Sequence, residues 1–94
     1  MIDAERTPNP NSLKFIARDG LFSESGIVAI SSPEETDRHP LGPQLFDIEG
    51  VADVFITPEF VTVSKQTEAG WDQVKPSIES ALEDYLNDTR DASD

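Results

Sequence analysis

The sequence predicts an α+β fold, a two-layer sandwich in the order ββαββα, with two helices on one face of a four-stranded antiparallel or mixed sheet. Three observations carry that expectation. Apolar and polar residues alternate over 12–17 and in two paired runs, 51–56 and 60–65; a proline-led apolar segment occupies 40–48; and a long apolar stripe at helical spacing covers 71–86. Ninety-four residues suffice for one domain with a single core, and without cysteine that core is stabilised by apolar packing and not by disulfides.

Residues 1–10 contain Pro8 and Pro10 and little apolar content, so they are expected to run extended, with Asn9 and Asn11 placed for turn-type bonds to nearby backbone. In the first strand, alternation puts Leu13, Phe15 and Ala17 on one face and Lys14 and Ile16 on the other. Arg18-Asp19-Gly20 breaks the pattern. The β-branched residues 26–30 supply a second strand, bounded by a polar loop from Ser31 to Asp37. Pro40 and Pro43 lack an amide proton, which is tolerated only in the first turn, so a helix of about two turns is expected to begin here. Leu41, Leu45 and Ile48 form its buried stripe, and Gly50 terminates it.

The clearest unit is a hairpin in which Thr57-Pro58-Glu59 joins the runs 51–56 and 60–65, with Pro58 supplying the φ that a type I or II turn needs. Its inward residues are Val54, Ile56, Val61 and Val63, and its outward ones Phe55, Phe60, Thr62 and Ser64. Over 71–86, Trp71, Val74, Ile78, Ala81, Leu82 and Tyr85 recur at steps of three and four, opposite Asp72, Gln73, Glu79, Glu83 and Asp84. Pro76 would remove one bond from this helix, so its first turn is expected to be irregular or to start nearer Asp72 or Gln73. Residues 87–94 read as a disordered acidic tail, leaving 1–86 as the domain.

A net charge of −12, from 19 acidic and 7 basic residues, repels phosphate backbones and anionic lipid heads, so nucleic-acid and membrane binding are not expected. Charged partners should be basic. The acidity is spread along the whole chain, which is equally compatible with solubility in high salt. No apolar run is long enough to span a bilayer, and MIDAERTPNP lacks the basic and apolar regions of a signal peptide, so the cytoplasm is the expected compartment.

Two stretches carry a family resemblance: Thr7-Pro8-Asn9-Pro10-Asn11-Ser12-Leu13-Lys14-Phe15, and LFDIEGVADVFITPEFVTVSK from Leu45 to Lys65, followed by Trp71 and Lys75-Pro76. In this order they resemble the N-terminal domain of the Nfu/NifU-like iron-sulfur scaffold proteins, over roughly residues 7–86. In that family a second domain carries the Cys-x-x-Cys that holds the cluster, whereas these 94 residues contain no cysteine. The resemblance implies a freestanding, non-catalytic accessory module of iron-sulfur cluster assembly or delivery. It would bind no cofactor alone and would act through contact with an assembly protein or a cysteine-bearing Nfu-type domain in trans. The alternative is a protein that binds iron or another divalent metal through surface carboxylates.

Candidate residues are few. His39 could act as a general base, but no Ser, Cys or acid accompanies it in sequence, and a place at the start of the helix is the simpler role. Asp47, Glu49 and Asp53 around Gly50 could make an oxygen-rich metal site, but they lack the ligand spacing of a calcium loop, and solvated charge is the simpler reading. Ser23, Ser25, Ser31 and Ser32 have no nucleophile elbow around them. Trp71 heads the stripe of the last helix and is expected to pack. Asn9 and Asn11 read either as satisfiers of backbone groups or as a polar recognition ledge. Strict alternation makes Lys14, Ile16, Phe55, Phe60 and Thr62 an outward, partly apolar protein-binding face, unless the N-terminal segment or loop 18–25 covers it.

Overall fold

A computed structural model describes residues 2–17, 22 and 26–92. Its strands are β1 (Ile2–Arg6), β2 (Ser12–Ala17), β3 (Val28–Ile30), β4 (Val51–Ile56) and β5 (Phe60–Lys65), and its helices are α1 (Leu41–Phe46) and α2 (Trp71–Ala92). The five strands form one sheet in the order β1-β2-β5-β4-β3, and every neighbouring pair is antiparallel. The α+β class is as expected. The count of four strands is corrected to five, because residues 2–6 pair with β2 in a hairpin register running from Ile2↔Ala17 to Arg6↔Leu13. This edge strand escaped notice for a physical reason: only Ile2 and Ala4 face inward, and Asp3, Glu5 and Arg6 are exposed. Charge is the usual protection of an edge strand against pairing with another chain.

The remaining differences lie at element ends. Beta-branched content suggested a strand from residue 26, whereas β3 starts at Val28, with Gly26 at φ +82° before it. The loop expected after it contains a 3-10 helix, Pro33–Arg38, whose entry is pinned by Glu35: its carboxylate accepts the Ser31 amide and the hydroxyls of Ser31 and Ser32. Helix α1 has six residues, and Pro43 falls within its first turn as required. At Gly50 the φ of +102° and the approach of Ala69 and Val74 leave no room for a Cβ. Helix α2 does begin at Trp71, because Gly70 O accepts the amides of both Gln73 and Val74. Pro76 is exposed, so water can solvate the Asp72 carbonyl that its missing amide leaves free. The helix continues to Ala92, past Leu86, where a frayed tail was expected. The break expected at residues 18–20 lies outside the described residues.

The core lies between the sheet and the helices. Phe15, Val54, Ile56, Val61 and Val63 project from the sheet and meet Leu41 and Leu45 of α1 and Val74, Ile78, Leu82 and Leu86 of α2, all buried. Each such side chain contributes about 1.5–3 kcal/mol relative to leaving it in water. Leu13, expected in the core, packs against it while only partly buried. Phe22 is a core residue that the sequence did not reveal, a lone aromatic in a polar stretch with 0% exposure. Its amide donates to Pro58 O at 2.9 Å, which ties this segment to the β4-β5 turn.

Candidate functional site

The sheet face opposite the helices is assembled by alternation in each strand and by the register between strands. Residues paired directly across neighbouring strands share a face. One row runs Asp3, Ile16, Phe60; the next runs Glu5, Lys14, Thr62, Phe55, Ala29; a third runs Ser12, Ser64, Asp53. The five residues expected outward from alternation, Lys14, Ile16, Phe55, Phe60 and Thr62, therefore do come together on one surface. Phe55 is 39% exposed, and the other four are partly buried. The Lys14 ammonium stands 4.3 Å from the Phe60 ring centroid, a cation-π contact that holds the lysine against the aromatic surface. The N-terminal segment does not cross this face, since it forms β1 at the sheet edge beside β2. A covering role for loop 18–25 falls mainly on residues outside the described ones; Phe22 itself is in the core.

Asn9 and Asn11 lie elsewhere, in the β1-β2 hairpin loop, and both carboxamide oxygens are used internally. Asn9 Oδ1 accepts the Asn11 amide at 2.9 Å, and Asn11 Oδ1 accepts from Lys65 Nζ at 3.1 Å. Thr7 Oγ1 donates to Asn9 O and accepts the Asn9 amide, and Trp71 Nε1 donates to Pro10 O at 3.1 Å. The Lys65 ammonium also lies 5.9 Å from the Trp71 ring centroid. The loop is thus a structural clasp that fixes the start of α2 to the sheet, and Trp71, half-buried, is its anchor. A cleft of about 330 Å³ between this loop and Trp71 remains open.

The carboxylates proposed for a metal are not brought together. Asp47 caps the C-terminus of α1, Glu49 lines a separate cleft with Gln66, Glu68 and Gln73, and Asp53 sits on the outer sheet face opposite Ser64. Asp47 and Glu49 are exposed and Asp53 is partly so. Among the described residues no group of three or more His, Cys, Asp or Glu side chains could hold a metal ion.

His39 is buried, with its ring centroid 5.5 Å from that of Tyr85. Its Nδ1 accepts the Leu41 amide at 3.0 Å, so Nε2 carries the proton and donates to Phe22 O at 2.6 Å. Burial holds its pKa below the ordinary 6.5, with the Phe22 carbonyl opposing that shift. Both nitrogens are engaged by backbone, so the ring organises the start of α1 and has no lone pair free for proton transfer. Ser31 and Ser32 serve the entry of the 3-10 helix through Glu35, whereas Ser23 and Ser25 lie outside the described residues.

Asp3, Glu5 and Ala29, which complete the open face, were missed because their strands are an edge of low apolar content and a run of three residues. Period-two alternation of Ile2 and Ala4 with Asp3 and Glu5 was the available signal.

A five-stranded antiparallel sheet with α1 and α2 packed on one face defines a small α+β domain. Residues 2–89 match the family described as "Scaffold protein Nfu/NifU N terminal", and the chain belongs to that family. It is 42% identical over 86 residues to human "NFU1 iron-sulfur cluster scaffold homolog, mitochondrial", covering 90% of this chain and 34% of the human protein. It is 38% identical to a NifU-like protein of Schizosaccharomyces pombe, over 92% of this chain and 34% of that protein. The chain thus spans about a third of the length of these curated relatives. The solution structure of a NifU-like protein from Saccharomyces cerevisiae superposes with a TM-score of 0.75 at 31% identity, covering 87% of this chain and 74% of the other. A Staphylococcus aureus crystal structure, with a TM-score of 0.71 at 24% identity over 86% of this chain and 96% of that one, shares the fold. Among the described residues no helix is long and apolar enough to cross a membrane.

Proposed function

We propose that this domain is a non-catalytic accessory module of iron-sulfur cluster assembly or delivery, acting through protein contacts. The observation that carries the reading is the family match over residues 2–89 in a chain whose 94 residues include no cysteine. Iron-sulfur clusters are held by several soft thiolates, for which one imidazole and scattered carboxylates are poor substitutes. The cluster is then cargo carried by an assembly protein or by a cysteine-bearing Nfu-type domain. The work of this domain is to position that partner. The names of the human and fly relatives place those proteins in mitochondria; for this chain the cytoplasm is a proposal that fractionation of the native cells would decide.

Anaerobic reconstitution of the purified chain with iron and sulfide should leave its visible spectrum flat. Mixed with a cluster-loaded, cysteine-bearing Nfu-type domain, the chain should co-elute with it and change the rate of cluster transfer to an apo-acceptor. A stable brown chain with stoichiometric sulfide, or a transfer rate and elution profile indifferent to its presence, would overturn the proposal.

A further inference from the structure

We infer that the open sheet face docks a basic protein segment bearing apolar anchors; this rests on the protein-contact reading above and names the chemistry of the partner. The apolar surface runs diagonally from Ile16 through Phe60 to Phe55 and Ala29, across β2, β5, β4 and β3. Neighbouring strands are about 4.8 Å apart and the rows of Ile16 and Phe55 are offset by two residues, about 7 Å, so the two stand roughly 12 Å apart, a span that two or three anchor side chains can cover. Phe55 lies between Thr62 and Ala29 in the longest row, exposed, and aromatic residues of this kind dominate contact energies.

Charge selects the occupant. Asp3 and Glu5 border the apolar diagonal on the β1 side, and Asp53 borders it at a corner of β4, so this rim carries three carboxylates. Among the described residues of this face the cation is Lys14, which is held over Phe60 and stands opposite Glu5 in the strand register. A second copy of the chain would bring the same carboxylates and another net charge of −12 against this rim. Like charges across an interface are costly, whereas a partner with Arg or Lys around its anchors meets the rim with opposite sign and is steered to it.

The test uses the isotope-labelled full chain and two short synthetic peptides with identical phenylalanine and leucine positions, one flanked by Arg and Lys, the other by Glu. With the basic peptide, amide shift changes should cluster at residues 14–16, 53–55 and 60–62, and binding should be at least about tenfold tighter than for the acidic peptide. F55S/F60S should weaken the basic peptide by about tenfold or more. Diffuse attraction to an acidic protein is separated by two charge-matched triple variants. D3N/E5Q/D53N should weaken binding several-fold, and E79Q/E83Q/D84N on α2 should leave it nearly unchanged. Equal loss in both triple variants, shifts confined to the helical side, or self-association through the same residues would each overturn the inference. If F55S/F60S still supports partner co-elution and cluster transfer, the assembly role stands and this surface falls. If the peptide binds here while transfer is unaffected by the chain, the surface stands and the assembly role falls.

Discussion

The two faces of the sheet are made by the same strands, residue by alternate residue, yet they answer to different constraints. On the inner face Phe15, Val54, Ile56, Val61 and Val63 are at most 2% exposed and packed under α1 and α2. On the outer face Ile16, Phe55 and Phe60 are similarly apolar but stand beside Lys14, Thr62, Glu5 and Asp53, and Phe55 retains 39% of its surface. Hydrophobicity alone therefore does not assign a residue to the core. What differs, among the described residues, is the presence of a second layer, which α1 and α2 supply on the inner face.

The sharpest way to break this comparison is Phe15→Ala. If the inner face is a close-packed core, removing this ring should cost about 3–5 kcal/mol in denaturant unfolding, the usual range for a buried phenylalanine. A loss below about 1 kcal/mol would mean that the second layer does not hold the ring.

The next effect is at His39, which belongs to the helix-covered side. His39→Ala leaves the Leu41 amide and the Phe22 carbonyl without their partner, and should cost about 1–3 kcal/mol. The wild type should also carry a pH signature. Because burial lowers the folded pKa of His39, the unfolded chain takes up a proton first as pH falls through 6.5, and stability declines from there toward the folded pKa. Above 6.5 the group contributes no slope. Thermal unfolding compared between about pH 7.5 and about pH 5.5 should show this extra decline in the wild type and not in His39→Ala.

The smallest effect is expected on the open face. Phe55→Ser should lose about 1 kcal/mol or less, as surface substitutions do, with an unchanged denaturant slope. A loss of several kcal/mol would show that this ring is core and that the two faces do not differ in the way described.

The strands β2, β4 and β5, the proline start of α1 and the stripe of α2 were legible because each is written in local periodicity and in the chemistry of proline and glycine. So was the membership of both faces within these three strands, since alternation is a property of neighbouring residues. Beta-1, the 3-10 helix and the extension of α2 to Ala92 were not, because short or charged elements show too few apolar residues to give a period. Only the tertiary structure decided the strand order, which brings Ile16 to Phe60 and Glu5 to Lys14, and separated Asp47, Glu49 and Asp53. It also decided that His39 bonds Phe22 and that Asn11 bonds Lys65. These contacts join residues far apart in the chain, and no local pattern encodes which distant groups meet; their pairing follows from the closure of loops and the joint packing of a core shared by all the elements.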